Sequence, residues 1–274
     1  MSKARSRGWV TLEMYFDSSI RNRSVASHFF STYGSIFPEL EFQLMGQWEP
    51  LRERFDRERA LLEWEGNRGA PNRGAYGHCI FFGNNPAQFH VIVSWYGLGA
   101  HPRWVDSLAV SFEERFWLDG LLKDPMAKTI ALLRGLSKLA SPLYGRAFHS
   151  SEFESKFFRD HILPSGKVSQ ESISLTPREG LIDLFWVDYF GKRYVNLFGE
   201  RSLAKVDCLF NEKVGDDFFL AFSKDPFGWN DPAVRTSQDR AKQELNHNAF
   251  FEKVTGFRPS LDIGLSNNAQ PARE

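Results

Sequence analysis

The chain has 274 residues, of which 42% are hydrophobic and 25% charged, an ordinary globular balance. Lys plus Arg equals Asp plus Glu at 34 each, which excludes the basic footprint of a chain devoted to nucleic acid. A chain this long folds without a disulfide or metal, and no run approaches the ~18 apolar residues of a membrane span.

The basic start MSKARSRGWVTLEMYF leads into no apolar signal region, so the protein is expected to stay in the cytoplasm. The last part of the chain is mildly acidic, which suits a basic partner. Aromatics reach 15%, with 26 Phe and 8 Trp. Most of these belong in a core, and some can serve as rigid anchors on a binding surface.

Val10, Leu12, Met14 and Phe16 alternate with Trp9, Thr11, Glu13 and Tyr15, which predicts a strand with one buried face. Asp17, Ser18 and Ser19 offer N-caps for a helix over 19–34 carrying Val25, Phe29 and Ile36. Leu40, Phe42 and Leu44 alternate as a short strand. Pro50, the stripe Leu51–Phe55–Leu62 and the opposite-charge pairs Glu53–Arg57, Arg54–Glu58 and Arg59–Glu63 predict a helix over 50–65.

Residues 66–77 read GNRGAPNRGAYG, a loop by composition. Arg68 and Arg73 stand among its glycines, but the spacing matches no phosphate-binding motif. Three strands follow at 75–82, 89–96 and 107–116, close enough together for an antiparallel meander. Asp124-Pro125 opens a helix that Pro142 stops.

A strand around 143–153, an irregular segment over 159–178, a strand at 184–189 and a helix near 193–198 come next. Strands at 207–211 and 218–223 flank Gly215-Asp216, a hairpin turn. A helix over 232–246 closes the pattern. The expected architecture is α+β, with a largely antiparallel or mixed sheet packed by several helices. It forms one compact domain over 1–257 and a frayed tail over 258–274.

No metal or cofactor is expected: the seven His are scattered, and Cys79 and Cys208 form no CxxC motif. Cys79 lies in an apolar run and reads as a buried, inert thiol, and pairing with Cys208 stays open. There is no nucleophile elbow. The neighbours Glu113 and Glu114 should point to opposite faces of their strand, and Asp216 and Asp217 should lie solvated in a turn. Carboxylates brought together only by folding would make a hydrolase or nucleotide-modifying enzyme, the alternative to a binding protein.

Residues 180–199 read GLIDLFWVDYFGKRYVNLFG. This resembles G-L-P-G-x-Y-W-x-N-Y-F-G-x-x-Y-V-x-L-x-G, a pattern of bacterial proteins grouped as immunity protein 52-like or type VI immunity family. Ile182-Asp183 stands where the pattern has Pro-Gly, Phe185 where it has Tyr, and Asp188 where it has Asn. Arg240-Ala241-Lys242-Gln243-Glu244-Leu245 followed by Ala249-Phe250-Phe251-Glu252 is similar to the family's closing helix and double Phe.

The resemblance implies a protein that binds and neutralises a toxin delivered between competing bacteria, with that toxin as partner and neither nucleic acid nor membrane. The motif residues themselves read as structure. Trp186, Tyr189 and Phe190 belong to a strand that Gly191 ends. Tyr194 lies on a helix that packs back, and Gly199 terminates it. The candidates for partner binding are therefore the loop residues Trp104 and Trp229, with Asp216 and Asp217.

Overall fold

The alternating segment that starts at Trp9 sets the frame. The computed structural model describes residues 8–66, 76–96, 103–163, 165–261 and 263. In chain order its elements begin with β1 (Trp9–Phe16), α1 (Arg23–Ile36), β2 (Leu44–Gly46), β3 (Glu53–Arg54) and α2 (Arg57–Glu65). The meander β4 (Tyr76–Asn84), β5 (Gln88–Tyr96) and β6 (Asp106–Glu113) follows, then α3 (Arg115–Leu118) and α4 (Pro125–Leu136). Next are β7 (Pro142–His149), α5 (Ser150–Phe157), β8 (Phe158–Ile162), β9 (Val168–Ser172) and β10 (Val187–Phe190). The chain continues through α6 (Lys192–Phe198), α7 (Glu200–Leu203), β11 (Phe210–Val214), β12 (Asp217–Ala221) and α8 (Pro232–Asn246).

Among the described residues ten strands form one sheet, ordered β11-β12-β10-β7-β1-β6-β5-β4-β2-β3, with β8 and β9 as a separate hairpin. The pairings are antiparallel throughout, so the α+β class and the meander β4-β5-β6 stand as expected. β1 is central, between β6 and β7.

Each face of the sheet has its own core. On one, Val10, Leu12 and Met14 of β1 join Phe81, Val91 and Val110 under α1, α2 and α4. Phe30 meets Phe81, Tyr33 stacks on Phe89 and Phe37 meets Phe112, so α1 is bound to the sheet by rings. On the other face Tyr144, Phe190 and Leu220 pack with Tyr194, Phe198, Ala241 and Leu245 of α6 and α8. The motif strand threads between the two cores: Trp186 and Tyr189 serve the first, Phe190 and Tyr194 the second.

Several elements differ from the sequence expectation. The helix predicted over 50–65 begins at Arg57, because Asp56 caps it and accepts from the Arg59 amide. Its charges pair elsewhere, Arg59 with Glu53 and Arg23 with Glu58. Pro50 follows a cis peptide bond outside the helix. Asn22, not Asp17, Ser18 or Ser19, caps α1. The strand predicted over 143–153 stops at His149, whose Nδ1 accepts the Ser151 amide and starts α5. The segment 159–178 holds the β8-β9 hairpin.

β11 is shifted from 207–211 to Phe210–Val214, where the two-residue turn Gly215-Asp216 requires it. Arg68, Arg73 and most of the loop around them lie outside the described residues. Beyond Arg258, Pro259 is buried and the Leu261 amide donates to the Glu179 carbonyl.

Candidate functional site

The helices do not treat the two faces alike. On the second face α5, α6 and α8 cover β7, β10 and β12. Over β6, β5 and β4 no described helix packs on that side, and β1 meets the start of α5, where the Trp9 amide donates to Ser150 Oγ at 3.2 Å. The strands record this in their burial, since β5 alternates strictly between buried residues and partly exposed ones, as does β1. Such alternation marks a sheet with one covered face and one open to solvent.

Strand register fixes what the open half-face presents. His78, Ser94, Ser107 and Tyr15 lie in one row across β4, β5, β6 and β1. Ile80, Ile92, Ala109 and Glu13 form the next row, and Phe82, His90, Ser111 and Thr11 the third. The middle strand β6 therefore contributes Ser107, Ala109 and Ser111, a low floor between taller rows. Thr11 and Ser111 join their hydroxyls across it at 2.9 Å.

Aromatic rings stand at the rims. Trp48 meets His78 edge-on at 4.4 Å, Tyr76 lies against both His78 and Tyr96, and Tyr96 against Trp104 at 5.1 Å. Trp48 is 71% exposed and Trp104 46%. At the other end of the strands Trp9 meets His90 across β6 at 5.0 Å, where Ser111 leaves room for both rings. Burial lowers the pKa of His78 and His90, so both rings are held neutral.

The boundary with the covered half is a single buried cation. Arg146 of β7 pairs in register with Glu13, and its Nε and Nη2 donate to Glu13 Oε2 at 2.9 and 2.7 Å. Nη2 also donates to the Tyr15 hydroxyl at 3.0 Å. The guanidinium sits 4.8–5.7 Å from the rings of Phe185, Phe148, Phe153 and Tyr15. Arg146 is thus committed to holding the two halves of the face together.

The residues singled out from sequence are dispersed. Trp104 leads into β6 and joins the aromatic rim through Tyr96. Trp229 is half-buried in a short turn of 3₁₀ helix, beside Phe227, whose ring lies on His149. It therefore lies at the opposite ends of the strands from Trp104. Asp216 sits at the β11-β12 turn and bonds Lys192 Nζ at 2.8 Å. Asp217 is not simply solvated: it accepts the Tyr189 hydroxyl, and partial burial raises its pKa.

The motif residues form scaffold. The Trp186 indole donates to the Ser223 carbonyl at 3.0 Å, and Tyr194 to the Pro177 carbonyl at 2.6 Å. A Cβ on Gly191 would lie 2.0 Å from the Pro142 carbonyl oxygen. Gly199 ends α6 at φ +81°.

A polar cluster locks this ribbon from behind. Glu152, fully buried on α5, accepts the Trp186 amide at 3.2 Å and Lys156 Nζ at 2.7 Å. Lys156 also donates to the Leu184 carbonyl and to Gln238 of α8. Asp188 accepts the Tyr144 hydroxyl at 2.5 Å and the Phe185 amide at 2.8 Å. Burial nonetheless pushes its carboxyl up to about 8. Every donor and acceptor named here is spent on the backbone or on a neighbour, which is the work of a structural network.

His149 Nε2 meets Glu114 at 3.2 Å, but its Nδ1 is used as the α5 cap. Among the described residues no group of three or more His, Cys, Asp or Glu is arranged to hold a metal ion. A cleft of about 430 Å³ beside α1 is lined by Phe30, Tyr33, Phe37, Leu40 and Phe42, with Glu41 and Arg57 at its edge. One of about 760 Å³ beside α4 is lined by Met126, Ile130, Leu209 and Phe210, with Asp124, Arg134 and Lys224.

No protein-family model and no curated protein matches the sequence. The fold has a solved counterpart. The chain is similar to a Pseudomonas aeruginosa T6SS protein, PA0821, with a TM-score of 0.51 and 11% identity. The alignment covers 94% of this chain and 80% of that one. At this identity the likeness is one of fold. No described helix is long and apolar enough to cross a membrane.

Trp48, Tyr76, Tyr96, His78, Trp9 and His90 were not singled out from sequence as partner-binding residues. The available signal was the polar face of each alternating strand, which in β1 carries Trp9 and Tyr15 where a solvated face needs neither.

Proposed function

We propose that this protein acts by binding another protein, as an immunity protein that neutralises a bacterial toxin through a stoichiometric complex. The observation that carries the binding part is the open half-face of the sheet, lined by rings and small hydroxyl residues and bearing no catalytic constellation. Solvent-facing sheet surfaces are ordinarily charged or polar, and a contiguous aromatic patch on one marks an interaction site. The toxin part is supported by the resemblance of residues 180–252 to type VI immunity proteins and by the likeness in fold to a T6SS protein.

The test is recovery of the tagged protein from its source cells with mass spectrometry of what accompanies it, followed by co-expression. A single stoichiometric partner, toxic alone and harmless beside this protein, is the expected result. A protein recovered alone, with no co-expressed toxin neutralised, overturns the reading.

A further inference from the structure

We infer that the toxin-binding surface is the open half-face itself: one folded protein partner spans β1, β6, β5 and β4, its projecting apolar side chains on the Ser94–Ser107–Ala109 floor between the aromatic rims. This rests on the partner-binding reading above and adds where the partner sits and what surface it must bring.

Size selects a protein over a small ligand. Four strands about 4.8 Å apart, with eight residues each rising about 3.4 Å, make a platform of roughly 500 Å². Trp48 and Trp104 extend it at the His78 and Tyr96 side. That approaches the ~800 Å² per partner of a stable protein complex and far exceeds what a metabolite covers.

Charge selects a protein over nucleic acid or an anionic membrane. No Lys or Arg stands in the three rows; Arg146 beside them is buried beneath rings and paired with Glu13, and Arg103 next to the Trp104 rim pairs with Glu179 at 2.9 Å. His78 and His90 are held neutral, and Glu49 lies near enough to His90 to act on it. A phosphate backbone needs several free cations, which these rows do not supply.

Composition agrees with both. Trp and Tyr give large rigid contact area at low entropic cost, and small hydroxyl residues between them adapt to the partner's hydrogen bonds, the combination found in antibody paratopes. The partner surface implied is convex, largely uncharged and apolar at its centre, because a flat floor between raised rims accepts a protrusion.

The experiment uses the full chain with the toxin identified by neutralisation. Ser107→Arg and Ser94→Arg each place a long cation on the partly exposed floor without touching either core. Trp48→Ala removes a rim ring. Leu209→Arg, 52% exposed and next to the far edge strand β11, is the control. Folding of each is checked by circular dichroism and thermal melting.

The expected result is that both floor variants weaken the complex at least about 30-fold and lose protection, Trp48→Ala weakens it less, and Leu209→Arg leaves it intact. Wild-type protection retained by both folded floor variants overturns this placement while leaving the immunity reading standing. Loss with Leu209→Arg alone moves the interface to the α4 side and overturns it too. A wild-type dimer in analytical ultracentrifugation that Ser107→Arg converts to monomer assigns the face to self-association and overturns the toxin as occupant. A wild-type chain that protects against no captured protein removes the reading on which the inference rests.

Discussion

Replacing Arg146 by Ala tests how the open and covered halves of the sheet are joined. The side chain is 7% exposed and Glu13 20%, and two N–H groups converge on one Glu13 oxygen. Deleting one member of a buried pair costs about 3–5 kcal/mol, because the remaining charge keeps its desolvation penalty. Glu13 can recover part of its hydration, which places the ion-pair loss near the lower end, about 3 kcal/mol. The four rings around the guanidinium add about 0.5–1 kcal/mol of lost cation–π attraction. The total is about 3.5–4 kcal/mol, and at roughly 2–4 °C per kcal/mol the melting temperature should fall by about 7–16 °C.

Urea unfolding followed by circular dichroism measures the loss directly. The double variant Glu13→Gln with Arg146→Met removes both charges and keeps the volume, and it should lie within about 1 kcal/mol of wild type. A single-variant cost below 1 kcal/mol, or a double variant as unstable as the single, would refute the argument that the pair is a buried lock.

Gly191→Ala drives a methyl into the Pro142 carbonyl and should cost about 2–3 kcal/mol or more in urea titration. Gly199→Ala meets only Ser202 Oγ at 3.9 Å, an ordinary contact, and pays for its φ of +81°, about 1–2 kcal/mol; equal costs would show that the close approach at Gly191 is relieved by movement. Asp188 has its pKa raised by burial from 3.8 to about 8, so between pH 4 and 8 the folded chain holds a proton that the unfolded chain has lost. Stability from this group must therefore fall as pH rises through that window, and Asp188→Asn should flatten that part of the stability–pH curve. Cys79 is buried with its pKa raised and Cys208 is half-buried with its thiol pushed up to about 11. A thiol reagent at pH 7.5 should label neither in the native protein and both in urea, whereas labelling of neither in urea would reveal a disulfide.

The elements that sequence made legible are those with an uninterrupted period. β1, β5 and α8 lie where alternation or helical spacing put them, to within a residue or two. The errors have physical sources. Charge pairs at helical spacing over 53–63 mimicked a longer helix, while the chain spent those charges on Glu53–Arg59 and Arg23–Glu58. α5 was hidden because its cap is a histidine, outside the Ser, Thr, Asp and Asn vocabulary. The hairpin turn at Gly215-Asp216 was legible, and it contains the register that strand composition alone misplaced.

The candidate site was only half visible. That Trp9, Tyr15 and His90 point away from the first core follows from period two. That no described helix covers β6, β5 and β4 there follows only from where α5, α6 and α8 dock, which depends on contacts such as that between Lys156 and Gln238, 82 residues apart. Trp104 was identifiable as a loop aromatic, but its place in a rim with Trp48, Tyr76 and Tyr96 required the β4-β5 register.

The central position of β1 bears on synthesis. The strand is synthesised well before both its neighbours, β6, beginning at Asp106, and β7, ending at His149. Until β6 is made a long strand with three aliphatic or Met residues on one side has both edges unpaired, and until β7 is made it keeps one unpaired, while the β4-β5 hairpin closes at once. Slow, long-range closure of this kind exposes a nascent chain to aggregation. A truncation at Glu113 would leave β1 paired on one edge only, and co-translational holding of the amino-terminal hundred residues by a chaperone would be the cell's remedy for a sheet whose centre is made before its sides.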